Sequence, residues 1–280
     1  MAKLEQWLTA VSESRRNEST LAYLKACGID GVELSVSADE YTEIDWPAFR
    51  ETADRIGMQV LSYHLPFSWE INIAAPDEAH RRHAVEIHCG LMRKAAAVGI
   101  RRFVVHPSAE PIPADERGAW MAAACKSLQE MAECAAGLDS VVCVENLPRT
   151  CLGNTADEML TLIAADSRLR VCFDVNHLLT IYGCTHREFV QKLGHLIVTC
   201  HMSDYDFVDE KHFFPGNGMI DWAELIDLLE GAGYDGPFLF EGGFSPASVR
   251  PPSPTGRMRR RGSGRCGSGS SGGGRTDATA

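Results

Sequence analysis

Six apolar runs in this chain each end on an acid or a histidine. They are Met58-Gln-Val-Leu-Ser-Tyr-His64, Arg102-Phe-Val-Val-His106, Val141-Val-Cys-Val-Glu145, Leu169-Arg-Val-Cys-Phe-Asp174, His195-Leu-Ile-Val-Thr-Cys-His201 and Pro237-Phe-Leu-Phe-Glu241. With 38 Asp and Glu and 10 His in 280 residues, such side chains occupy about one position in six, too few for this pattern to be accidental. If the runs are strands opening onto one face, three carboxylates and three imidazoles converge there. Three carboxylates without a cation repel one another, and a divalent metal relieves this. Glu145, Asp174, His201 and Glu241 supply three hard oxygen donors and one imidazole. That set suits Mn2+, Co2+ or Mg2+, while further histidines shift the preference toward Zn2+.

The following loops offer more donors. His177 stands three residues after Asp174, and Asp204 repeats that spacing after His201. Glu210 and His212 precede Phe214-Pro-Gly-Asn-Gly218, a turn expected to expose backbone N–H groups to a substrate oxygen. His64 and His106 are expected to act as ligands or to orient ligands. His80 and His83 share a helix face with no carboxylate clearly placed beside them and read as solvated. Phe67 and Trp69 either wall the site or simply pack. Within 1–245 neither a Walker-type Gly-x-x-x-x-Gly-Lys-Ser/Thr loop nor a Gly-x-Ser-x-Gly elbow occurs.

The positioning elements follow from the same runs. With Gly31-Val-Glu-Leu-Ser as the second, they are continuous rather than alternating, as parallel strands covered on both faces should be. Helix-like segments lie between them. Asp45 can cap a helix ended by Gly57; Trp120, Ala124, Leu128, Met131 and Ala135 form one stripe stopped by Gly137; Thr155 with Glu158 and Asp221 with Glu224 have capping-box spacing. The expectation is an α/β chain folded as a (β/α)8 TIM barrel over residues 1–245, close to the length of about 250 typical of that fold. The first strand is poorly marked, Leu4–Val11 being a weak candidate. After the eighth strand the last outer helix is replaced by an Arg/Gly/Ser-rich segment, 246–280.

Net charge is −11, and seven of the 27 Lys and Arg lie in 246–280 beside a single acid. Removing that segment leaves 20 basic and 37 acidic residues, a net of −17, which disfavours nucleic acid as a partner. The segment lacks Leu, Ile, Phe, Tyr and Trp and is expected to be disordered. No apolar run is long enough to span a membrane. The charged start Met1-Ala-Lys-Leu-Glu and ten scattered cysteines without a Cys-x-x-Cys pair point to reduced thiols and a cytoplasmic location.

Taken together, His64-Leu-Pro-Phe with Asn72-Ile-Ala-Ala, Val104-Val-His-Pro107, Val144-Glu-Asn-Leu147, Phe173-Asp-Val-Asn-His177, His201-Met-Ser-Asp204, Pro215-Gly-Asn-Gly-Met-Ile-Asp-Trp222 and Phe240-Glu241 resemble the xylose isomerase-like barrels. That superfamily includes sugar phosphate isomerases and epimerases and the endonuclease IV group. For the epimerase branch, the resemblance implies one metal on Glu145, Asp174, His201 and Glu241. Glu145 and Glu241 would exchange a proton with an open-chain sugar or sugar phosphate through an enediolate, and His177 would position substrate oxygens. The chain departs from some ketose 3-epimerases in carrying Glu210-Lys-His212 where an arginine precedes the Pro-Gly turn.

For the endonuclease branch, the resemblance implies a trinuclear zinc site on His64, His106, Glu145, Asp174, His177, His201, Glu210, His212 and Glu241, with Glu210 replacing an expected Asp. That site would cleave abasic DNA. The Pro-Gly-Asn-Gly-Met-Ile-Asp-Trp stretch and the absence of a clear DNA-penetrating loop after His64 favour a sugar isomerase or epimerase, as a monomer or homo-oligomer. A dehydratase acting on a keto-inositol or oxidised sugar, or an inactive metal-binding barrel, are the further readings.

Overall fold

The computed structural model describes residues 7–242. Eight parallel strands close into a barrel in sequence order: β1 (Thr9–Glu13), β2 (Gly31–Ser35), β3 (Gln59–His64), β4 (Arg102–Val105), β5 (Val141–Glu145), β6 (Arg170–Asp174), β7 (Ile197–Met202) and β8 (Phe238–Phe240). β8 closes the sheet on β1 through the pairs Thr9–Phe238, Ala10–Leu239 and Val11–Phe240. Helices α1 (Glu18–Ala26), α2 (Trp46–Ile56), α3 (Glu78–Ala97), α4 (Arg117–Ala136), α5 (Ala156–Ile163), α6 (His186–Leu193) and α7 (Trp222–Gly231) fill the crossovers. The α/β barrel expectation is met. The readings of 246–280 and of a missing outer helix fall outside the described residues.

The first strand corrects the sequence reading. The ladder runs Thr9–Glu13, not Leu4–Val11. Polar Thr9, Ser12 and Glu13 conceal it from a search for apolar runs, but the backbone pairs with β2 on one side and β8 on the other. Ser12 pairs with Glu33 on β2, while Val11 joins the layer packed beneath the helices. Trp7, immediately before the strand, sits edge-on to Tyr234 with ring centroids 5.2 Å apart.

Two packing layers hold the site. Between sheet and helices lies one continuous apolar core, which includes Phe49 and Ala53 of α2, Met92 of α3 and Leu128, Met131 and Ala135 of α4. A small separate cluster of Val104, Cys143 and Cys172 stands two residues before His106, Glu145 and Asp174. Because side chains two apart on a strand share a face, this cluster floors the site.

Helix starts follow their caps. Asp45, Thr155 and Asp221 accept backbone N–H bonds from Ala48, Glu158 and Glu224, and Gly57 ends α2 in the left-handed conformation at φ 72°. The reciprocal half of each capping box is spent elsewhere: Glu158 binds Arg117 and the Gly153 N–H, and Glu224 binds Arg187. The nine described cysteines are free. Among the described residues no helix is long and apolar enough to cross a membrane.

Candidate metal centre

His201, at the end of β7, is the centre of the cluster. Its Nδ1 lies 3.3 Å from Glu145 Oε1, 3.3 Å from Glu241 Oε2 and 3.8 Å from Asp174 Oδ2. One ligand atom from each of these four residues falls within 4.8 Å of the others. Strand ends set this up. Glu145 and Asp174 are the last residues of β5 and β6, and Glu241 directly follows β8. Asn146 ties β5 to β6, its amide donating to the Asp174 carbonyl and its oxygen accepting the Asp174 N–H.

Electrostatics mark the same point. Burial pushes the Asp174 carboxyl up to about 8 against the pull of His177, and the charges of Glu241 and Glu145 add to the rise. Asp174 Oδ1 accepts from Asn176 N–H, whereas Oδ2 is buried without a hydrogen-bond partner. Burial works against ionisation of Glu145 too, but His201 and His106 hold it well below the usual carboxylate range. Three carboxylates, an imidazole and an unpartnered buried oxygen fit a divalent cation.

Two flanking groups complete the mouth. His64 Nε2 lies 3.0 Å from Glu145 Oε2, and His106 Nε2 lies 3.3 Å from the same oxygen. Burial opposes charge on both rings. The bond to Glu145 nonetheless raises His64, which also faces the Leu65 carbonyl through Nδ1, while burial prevails at His106. On the other side His212 Nε2 lies 2.7 Å from Glu210 Oε1, and His177 Nε2 lies 3.8 Å from that atom and 3.5 Å from Asp174 Oδ2. Burial opposes charge here as well, yet the surrounding carboxylates raise His177 to about 10 and His212 to about 9.

Nine of the ten residues singled out from sequence as ligands or substrate contacts therefore meet at one mouth. Asp204 does not join them. Its carboxylate accepts from the N–H groups of Tyr205, Gly216 and Ile220 and from the Trp222 indole, so it builds the β7–α7 loop. The expectation that the Phe214–Gly218 turn offers free N–H groups fails at two of its positions: Gly216 N–H is taken by Asp204 and Asn217 N–H by the Phe214 carbonyl. A Cβ on Gly218 would collide with Asp204, which explains the glycine. His80 binds the Glu70 carbonyl from α3, and Trp69 packs on Trp120 with centroids 5.4 Å apart. Phe67 stacks on His106 at 3.9 Å and remains 53% exposed, so of the two aromatics it is the one beside the metal-centre residues.

Two residues were missed. Glu33, fully buried on β2, contacts His201 Nε2 at 2.9 Å. Its signal was an acid inside, rather than at the end of, a buried run. Arg149 on the β5–α5 loop is shared by Glu110, Asp209 and Glu210 at 2.7, 3.1 and 2.9 Å. Its spacing from the other site residues gave no signal.

The xylose isomerase-like TIM barrel family model matches residues 21–256, and the chain belongs to that family. D-psicose 3-epimerase of Enterocloster bolteae is 25% identical over 244 residues, 81% of this chain and 78% of its own. A probable endonuclease 4 of Nitratidesulfovibrio vulgaris is 31% identical over 138 residues, covering 48% of this chain and 47% of its own. Among solved structures, a D-tagatose 3-epimerase-like protein is similar with a TM-score of 0.72 and 25% identity, covering 84% of this chain and 89% of that one.

Proposed function

We propose that the chain is a divalent-metal-dependent sugar isomerase or epimerase. The observation that carries this is the Glu145, Asp174, His201 and Glu241 cluster with its buried, unpartnered Asp174 oxygen. When bound there, a cation of the Mn2+, Co2+ or Mg2+ kind supplies Lewis-acid polarisation of a sugar carbonyl and adjacent hydroxyl and offsets the developing enediolate charge. Glu145 and Glu241 approach His201 Nδ1 from different strands, and they are the pair suited to remove a proton from the intervening carbon and to return one. His177, its Nδ1 fixed on the Asn146 carbonyl, and His212, its Nε2 fixed on Glu210, stand at the mouth where they would position substrate oxygens. The long reach of the epimerase similarity along both chains supports this reading over one based on the shorter endonuclease match.

A second reading is a trinuclear zinc phosphodiesterase acting on abasic DNA. His177, Glu210 and His212 form a separate group with metal-ligand spacing, as do His64, Glu145 and His201. Against it, Arg149 at the rim is already shared among three carboxylates, leaving that side acidic toward a phosphate backbone. A panel of ketoses and ketose phosphates incubated with Mn2+-loaded protein, beside an abasic duplex with Zn2+-loaded protein, separates the two. Sugar turnover supports the first reading, and strand cleavage alone overturns it.

A further inference from the structure

His201 has carboxylates on both sides, and only one side faces the candidate metal. Nδ1 looks toward Glu145, Asp174 and Glu241, while Nε2 lies 2.9 Å from Glu33 Oε1. The other Glu33 oxygen accepts the Ser62 hydroxyl at 2.6 Å. Glu33 is fully buried, as are Ser62 and His201.

A carboxylate inside a barrel is costly unless its partners are fixed, so mere space-filling would favour an apolar residue here. A carboxylate acts only as an acceptor. Facing it, Nε2 carries the proton and Nδ1 keeps its lone pair for the centre. Glu33 also brings a fourth acid to the barrel interior, which raises the electrostatic gain from taking up a cation. We propose that Glu33 is a positioning residue that fixes the His201 tautomer and strengthens cation binding through it. The proposal rests on the metal-centre reading above, and it adds a residue two shells from the substrate on a strand that contributes none of the expected ligands.

The test is Mn2+ affinity of the full chain, read from free Mn2+ by electron paramagnetic resonance, for wild type, Glu33→Gln and Ser62→Ala. Glu33→Gln keeps the shape and an acceptor for Nε2–H but removes the charge, and it should weaken binding about tenfold to a hundredfold. Ser62→Ala keeps the charge and should weaken it less. Equal affinity in wild type and Glu33→Gln overturns the proposal. Should Glu33→Gln fail to fold, nitrogen NMR of the Zn2+-loaded wild type decides. A proton on His201 Nε2 and none on Nδ1 supports the role, and the reverse overturns it. A wild type that binds Mn2+ but converts no sugar sinks the proposed reaction and leaves Glu33's role standing, whereas a wild type that binds no metal sinks both.

Discussion

At the residue scale, the arrangement places different demands on each member of the cluster. Glu145 reaches His201 through one oxygen and His64 and His106 through the other, so it links three imidazoles of the site. Under the proposed function, Glu145→Gln would remove a hard donor and an acid/base group together. Turnover should fall by about 100-fold or more, as expected for loss of a general acid/base, with cation affinity falling in parallel. Steady-state kinetics on the best ketose checks this, and a variant with near wild-type kcat contradicts the assignment. Phe67 gives a milder prediction. Phe67→Ala uncovers His106 and removes an apolar wall from the mouth, so KM should rise while metal content stays unchanged.

At the scale of elements, the β7–α7 loop is fastened by Asp204, and the same loop carries Glu210 and His212. Asp204→Ala leaves several N–H donors without their acceptor and should cost roughly 2–4 kcal/mol of stability. Denaturant unfolding measures the cost, and kinetics should show KM rising as His212 loses its position. Before the structure, Asp204 resembled a ligand because the His201–Asp204 spacing copies Asp174–His177. Spacing alone does not tell a donor aimed at the mouth from one turned back on its own loop. The strand ends were legible because an acid or histidine interrupts an apolar run at each. β1 was not, since Thr9, Ser12 and Glu13 make no apolar run and the strand is defined by its neighbours on both sides. Glu33 was hidden for a related reason: reading only the ends of strands passes over an acid one layer deeper. Arg149 belongs to a loop whose partners lie on two other loops, a relation only the folded chain reveals.

At the scale of the whole molecule, the gathered charges tie metal, protons and stability together. Asp174 is pushed up to about 8 from 3.8, and His177 and His212 are raised to about 10 and about 9 from 6.5. In each case the folded metal-free chain holds a proton that the unfolded chain has released. The stability they supply is therefore fully present below the unfolded values and is lost as pH rises through the folded ones. The melting temperature of metal-free protein should fall between about pH 7 and about pH 9, and the rise produced by Mn2+ should grow over the same interval. Differential scanning calorimetry with chelator or with Mn2+ reads both trends, and a metal-free protein that becomes more stable across that interval contradicts them.

Under the proposed function the strand ends build one divalent-metal centre. The metal content of protein purified without chelator, measured by inductively coupled plasma mass spectrometry beside Glu145→Gln, reads that centre. A single Mn, Co or Mg per chain, lost in the variant, is the expected result. Two or three Zn per chain would contradict the mononuclear reading, and no metal after reconstitution would contradict the centre itself.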